Sequence, residues 1–85
     1  PGCLYLNVYP NPTKNAIYIN HSIAGSGATM QIFSITGAKV MQKNIPENSF
    51  FTTMDVSKLS SATYIIVYVN DGERKQVKFE KVSSK

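Results

Sequence analysis

The chain cannot run straight through residues 9–13, because Pro10 and Pro12 stand two positions apart there. Each proline fixes its own φ at about −65° and has no backbone N–H to donate. Each also moves the preceding residue, Tyr9 or Asn11, into extended geometry. The side chain of Asn11 is expected to form an Asx turn with its own backbone. The segment therefore predicts a stiff corner that ends one strand and directs the next.

Short runs of β-forming residues lie on both sides of this corner, separated by Gly, Pro, Asn and Ser. Apolar side chains alternate along most of these runs, which is typical of strands with one buried face. The predicted strands are 4–9, 16–20, 29–35, 39–43, 50–54, 63–69 and 75–82. Asn70-Asp71-Gly72 is a type I′ hairpin signal between the last two. This pattern, with no long helix, predicts an antiparallel sandwich of two sheets.

The alternation also predicts the core. Eight residues are expected to be largely buried: Leu6, Val8, Ile17, Ile19, Ile32, Val67, Val69 and Phe79. In the sixth run both faces are apolar, and we expect the all-aliphatic face of Val67 to point inward and the face of Tyr64 and Tyr68 to point outward. The outward tyrosines could join an exposed strip that binds carbohydrate, or they could cover the rim of the sandwich. Tyr5, Tyr9 and Tyr18 could extend such a strip.

Composition limits the classes of function. The chain has 85 residues, 42% of them hydrophobic and 16% charged, which fits one globular domain. No apolar run approaches the ~20 residues of a membrane helix, so no membrane insertion is expected. The single Cys3 and the single His21 cannot supply a Cys/His zinc site, and His21 is expected at the surface. The two Asp and three Glu are scattered, so no catalytic, cofactor-binding or metal residue is predicted.

Positive charge is concentrated at the end of the chain. The net charge is +4, and residues 73–85 hold five cations against two carboxylates, which is +3 of that total. Lysines on an edge strand discourage edge-to-edge pairing of sheets. Alternatively, the last strand is a basic recognition element for an acidic partner. Nucleic acid is not an expected partner, because no nucleic-acid-binding motif accompanies the charge.

Four motifs in order resemble the C-terminal sorting domains of the type IX (Por) secretion system of Bacteroidetes. Val8-Tyr9-Pro10-Asn11-Pro12-Thr13 is similar to the family's YPNP opening. Residues 30–40 resemble the family's apolar strand with turn Gly and basic residue. Residues 54–67 resemble its D-L/V-S-x-L-x-x-G-x-Y segment, and residues 75–81 resemble its basic final strand. The resemblance covers residues 4–82, although Ala62 stands where the family usually has Gly.

The resemblance implies an immunoglobulin-like β-sandwich, not itself an enzyme, that addresses a cargo such as a protease, an adhesin or another virulence factor. The cargo would cross the periplasm and pass the type IX translocon to the outer-membrane surface or the medium. A sortase-like cysteine peptidase would usually remove the domain and anchor the cargo. Residues 4–85 would form the sorting domain, and residues 1–3 a linker or remnant. From the single cysteine alone, the Cys3 thiol is expected either to have no role or to pair with another chain.

Fourteen residues that carry the motifs are candidates for the sorting signal: Tyr9, Pro10, Asn11, Pro12, Gly37, Lys39, Asp55, Leu59, Tyr64, Lys75, Val77, Lys78, Phe79 and Lys81. Reversal of Lys75, Lys78 and Lys81 to Glu is expected to barely change stability, because long stems can carry these charges to water. Two other functions fit the same pattern: a carbohydrate-binding or adhesive β-sandwich, and a structural spacer beside a catalytic domain.

Overall fold

The computed structural model describes residues 5–82, which form seven strands and no helix. All seven predicted strands are present, with bounds within two residues of the predicted ones. The predictions for Cys3 and the linker lie outside the described residues. The strands are β1 (Leu6–Tyr9), β2 (Ala16–His21), β3 (Thr29–Ser34), β4 (Lys39–Asn44), β5 (Phe51–Asp55), β6 (Ala62–Asn70) and β7 (Glu73–Lys81).

The strands form two sheets, which confirms the predicted sandwich. One sheet has three strands in the order β1-β2-β5, and the other has four in the order β4-β3-β6-β7. Every pair of neighbouring strands is antiparallel. Strand β7 therefore lies at one edge of the four-stranded sheet, with β6 as its neighbour there. Residues 5–82 include no helix that is long and apolar enough to cross a membrane.

Two turns adopt the conformations that their residues favour. The β6–β7 hairpin has positive φ at Asp71 (52°) and Gly72 (79°), as the predicted type I′ turn requires. Gly37, in the turn between β3 and β4, has a φ of 100°, which a residue with a side chain rarely adopts. Ala62 begins β6 and is not among the described residues with positive φ, so the missing glycine creates no strain there.

The core lies between the sheets and contains six of the eight predicted residues; Val67 is buried but lies on the opposite face of β6, and Val69 is only partly buried. The prediction for β6 was wrong, because Tyr64 and Tyr68 point inward and are 5% and 0% exposed. Each phenol has a partner that makes burial tolerable. Tyr64 donates to the carbonyl of Ser60 at 2.8 Å, and Tyr68 donates to the carbonyl of Ser22 at 2.7 Å. Burial raises the pKa of the Tyr68 phenol.

The expectation that His21 lies at the surface was also wrong, since its side chain is 2% exposed. Nδ1 lies 2.9 Å from the carbonyl oxygen of Ser22, and Nε2 lies 2.7 Å from the hydroxyl of Thr52. Because a carbonyl can only accept, Nδ1 donates to Ser22, and the Thr52 hydroxyl, which can donate or accept, satisfies Nε2. The imidazole also packs on the ring of Tyr68, with centroids 4.7 Å apart. His21 thus belongs to the folded core.

Candidate functional site

The proline corner contacts the last strand. The side-chain oxygen of Asn11 accepts from the backbone N–H of Glu80 at 2.9 Å. The N–H of Thr13 donates to the carbonyl of Glu80 at 2.8 Å, and the N–H of Val82 donates to the carbonyl of Thr13 at 2.9 Å. The predicted Asx turn at Asn11 is wrong, because both groups that would form it are bonded to β7 instead. We call residues 11–13, which make these bonds, the clasp.

The clasp covers only one end of the β7 edge. The backbone groups of Glu80 and Val82 that bond to the clasp point away from β6. Since strand residues alternate with a period of two, the backbone groups of Arg74, Gln76 and Lys78 point the same way. Among the described residues, no backbone partner meets this stretch. We call the stretch from Arg74 to Lys78 the open edge.

The open edge is basic on its surface and anchored by its apolar residues. Arg74, Lys75 and Lys78 are exposed, as predicted for a strand that presents charge. Phe79 is fully buried, and Val77 is half-buried and packs against the core. The edge therefore combines free hydrogen-bonding backbone with three cations on a rigidly held strand.

A shallow groove lies where the clasp meets β7. Its volume is about 380 Å³, and it is lined by Asn11, Pro12, Thr63, Lys78, Phe79 and Glu80. Two of the motifs that the sequence places at opposite ends of the chain thus share one surface. Pro10 and Pro12 are exposed at this corner, and both follow cis peptide bonds.

Lys81 does not belong to the exposed basic surface. Its side chain is 4% exposed, and its ammonium donates to the carbonyl oxygen of Val82 at 3.2 Å. It follows Phe79 on the inward-pointing face of β7, and Thr13 of the clasp lies beside it. The expectation that this stem carries its charge out to water was therefore wrong, and the reason for expecting its reversal to barely change stability no longer holds.

The middle motif forms the connection between β5 and β6. Asp55 accepts from the N–H of Ser57 at 2.9 Å, and Leu59 is half-buried against the core. The ring of Tyr64 packs on that of Phe79, with centroids 5.8 Å apart. These candidate residues shape a turn and the core beneath β7, and of the three only Asp55 is exposed.

Replacing Asp55 with Ala is expected to lower thermal stability at neutral pH more than in acid. The hydrogen bonds from Ser57, and to a lesser extent Lys58, hold the pKa of this carboxyl below its ordinary value of 3.8. A depressed pKa in the folded state stabilises the protein above pH 3.8, and this contribution is lost as the pH falls through the folded-state value. Melting curves of both proteins between pH 7 and pH 2 measure it. A difference in melting temperature that stays constant over this range would contradict the assignment.

The remaining candidates lie elsewhere. Gly37 and Lys39 lie at the β3–β4 hairpin, and β4 is the opposite edge of the four-stranded sheet from β7. The ammonium of Lys39 donates to the side chain of Gln42 at 2.7 Å. Tyr9 points outward from the three-stranded sheet and packs on Tyr18. The structure thus brings together the first and last motifs but does not gather all the candidates into one site.

Sequence reasoning missed several residues of the clasp and groove. Thr13 is 1% exposed and holds β7 through its backbone, although its motif was recognised. Thr63 and Glu80 line the groove, and Arg74 belongs to the open edge. The period of two along β7 could have grouped Arg74, Lys78 and Glu80 on one face. No local signal could have placed Asn11 beside Glu80, 69 positions away.

The fold defines the class of protein as an immunoglobulin-like β-sandwich. The chain is similar to the crystal structure of a DUF3244 family protein with this fold from Bacteroides vulgatus ATCC 8482, with a TM-score of 0.70 and 16% identity. The match covers 93% of this chain and 96% of the other. The likeness confirms the predicted fold class. No curated protein matches the chain.

The chain belongs to the secretion system C-terminal sorting domains, whose family model matches residues 7–82. This confirms the family that the four motifs predicted. The family is not catalytic and acts as the sorting signal of type IX secretion, in interaction with the type IX machinery. Its role is export across the outer membrane to the cell surface or the extracellular space.

Proposed function

We propose that this domain directs a covalently attached cargo through the type IX translocon, and that the translocon reads the clasp, the groove and the open edge together. The observation that carries this proposal is the hydrogen bond from Glu80 to Asn11, which joins the family's first and last motifs on one surface. A signal made of both motifs exists only in the folded domain.

Recognition proceeds by strand addition. An extended segment of the translocon pairs with the outward backbone groups of Arg74, Gln76 and Lys78, as peptides add to exposed sheet edges elsewhere. Acidic side chains on that segment meet the exposed cations of the open edge, which speeds encounter and fixes register. The clasp ends the pairing at Glu80, so the segment is held in one register.

The steps after recognition follow the same scheme. The cargo, for example a protease or an adhesin, crosses the periplasm with the domain attached. After translocation a sortase-like cysteine peptidase removes the domain and anchors the cargo at the cell surface. The exposed cations of the open edge support recognition by the translocon, and membership of the family supports export by the type IX system.

Reversing Arg74, Lys75 and Lys78 to Glu in the cargo-bearing parent is expected to leave the cargo in the periplasm, with export reduced at least about tenfold. All three side chains are exposed, so each substitution is expected to change the free energy of unfolding by no more than about 0.5 kcal/mol. Lys81 stays native because it is buried. Export is measured by immunoblotting periplasmic and external fractions, with circular dichroism of the isolated domain to verify folding.

A matched control separates this surface from net charge. Reversal of Lys43 and Lys58, exposed lysines outside β7 that are not signal candidates, is compared with reversal of Arg74 and Lys78 alone, so that the net charge changes equally. The control variant is expected to be exported normally. If the folded β7 variant is exported at the normal rate, or if both variants are retained equally, the open edge is not what the translocon reads. A structural spacer would tolerate both sets of changes.

A second arm tests backbone pairing itself. The N–H of Gln76 points away from β6, so Gln76→Pro removes the central donor of the open edge while sparing the ladder to β6. Retention of this variant in the periplasm, with the fold intact, supports strand addition. Normal export would assign recognition to side chains alone.

A further inference from the structure

The outer face of the three-stranded sheet carries a strip of exposed aromatic rings. Tyr9, Tyr18 and Phe51 come from β1, β2 and β5 and are 39%, 40% and 45% exposed. The ring centroids of Tyr9 and Tyr18 lie 5.9 Å apart, and those of Tyr18 and Phe51 lie 6.4 Å apart at an interplanar angle of 8°. We call these three residues the aromatic strip. It crosses all three strands of its sheet.

The strip is bordered by side-chain amides. Asn7 and Asn20 are cross-strand partners in the row beside Tyr9 and Tyr18, and Asn20 lies opposite Phe51. Both point to the same side of the sheet as the rings, because they alternate with inward residues such as Val8 and Ile19. Neither amide group has a hydrogen-bond partner within residues 5–82. Each amide thus offers donors and an acceptor beside the rings.

The charge of this face differs from that of the rest of the domain. Strands β1, β2 and β5 contain no Lys or Arg, although the whole chain carries nine. The single carboxylate in these strands, Asp55, lies at the end of β5 and accepts from Ser57. Lys43 of β4 donates to the backbone carbonyl of Thr53 in β5 at 3.0 Å, so the strip is an uncharged row of aromatic and amide groups with a cation and a carboxylate at its β5 side.

We propose that the aromatic strip binds an uncharged, extended glycan of β-1,4-linked pyranose units. The C–H faces of pyranose rings pack on aromatic rings, and their equatorial hydroxyls match amide donors and acceptors. An extended β-1,4-linked chain can run along the row of rings, whose centroid spacings of 5.9 and 6.4 Å are close to the length of one sugar unit. The rings and amides of the strip carry no charge themselves, which matches a ligand without charge.

Size and charge argue against other occupants. Three strands about 4.8 Å apart and four to six residues long make a face of roughly 200–300 Å². Each partner in a standard stable protein complex buries about 800 Å². Nucleic acid binding depends on Lys and Arg that neutralise phosphates, and these strands have none. A single polymer chain lying across the strip fits the available area.

The ¹⁵N-labelled 85-residue chain, titrated with cellohexaose and followed by NMR, tests the proposal. The expected result is saturable shifts of the amides of β1, β2 and β5, with none along β7. Maltohexaose, whose α-linkages coil the chain, is expected to bind more weakly. Tyr18→Ala is expected to weaken cellohexaose binding about tenfold, and Phe51→Ala provides a second test if the first variant loses dispersed resonances.

Lys78→Glu, on the other sheet, is the control and is expected to bind cellohexaose as the native chain does. The proposal is overturned if cellohexaose causes no saturable shifts, if the shifts map to the four-stranded sheet, or if a folded Tyr18→Ala chain keeps full affinity. Its outcome is independent of the secretion role, since Tyr18→Ala leaves the clasp and the open edge unchanged.

Discussion

Truncation of Phe79 to Ala is expected to lower the free energy of unfolding by about 3–5 kcal/mol, the usual result of deleting a buried aromatic ring. Phe79 is fully buried, and its ring packs on that of Tyr64 with centroids 5.8 Å apart. At about 0.05–0.15 kcal/mol per residue, an 85-residue domain has a total stability of about 4–13 kcal/mol. The variant is therefore expected to lose about a quarter or more of its stability. Urea denaturation followed by circular dichroism measures the change.

Phe51 provides the matched control, because the same truncation at this position deletes a ring that is 45% exposed. Loss of its packing on Tyr18 is expected to cost about 1 kcal/mol. Equal losses at the two positions would contradict the assignment of Phe79 to the core. In the parent protein, an export defect of the Phe79 variant then reflects unfolding, which makes this candidate signal residue a structural one.

Reversal of Lys81 to Glu is expected to destabilise the domain by about 3 kcal/mol or more, because it places a carboxylate without a compensating partner at a buried position. The native ammonium is enclosed and donates to the carbonyl of Val82. A carboxylate in its place accepts only, so it faces a carbonyl oxygen without a donor. The same reversal at the exposed Lys78 is expected to change stability by no more than about 0.5 kcal/mol. Denaturation of both variants in parallel gives the comparison.

Lys81→Met separates the charge from the packing of the stem. Methionine keeps an unbranched apolar chain of similar length and leaves one carbonyl without its side-chain donor. The loss is expected to be about 1 kcal/mol, the contribution of one ordinary hydrogen bond. If Lys81→Glu is as stable as the native chain, the ammonium is not enclosed as described, and Lys81 rejoins the exposed basic surface.

The strands and the sheet-forming pattern were predictable because each run alternates between polar and apolar positions. Strand β6 was the exception, since both of its faces are apolar and alternation cannot choose between them. The choice depends on phenol partners, the carbonyls of Ser60 and Ser22, and the second of these lies 46 residues from Tyr68. Aromatic side chains with a satisfied hydroxyl fill more of the core than valine or isoleucine.

The burial of His21 and Lys81 was mispredicted for a different reason. Each stands in phase with buried neighbours, His21 with Ile17 and Ile19 and Lys81 with Phe79, so period alone would have placed both inward. Their polarity argued for the surface, and the bonds that satisfy them inside were not visible locally. The candidate site was predictable only in its parts. The first and last motifs were recognised separately, and their contact depends on the tertiary fold.

The length of the β7 edge that a partner strand can pair with depends on whether the clasp is closed or open. Its bonds join residues 69 positions apart, and opening it would break three hydrogen bonds while the strand pairs of both sheets stay intact, which requires less free energy than global unfolding. While it is closed, outward backbone groups are free at Arg74, Gln76 and Lys78 only. When it opens, Glu80 and Val82 join them, and the stretch available to a partner strand grows from three outward residues to five. The proline corner thus limits the length of the strand that can pair with the edge of β7.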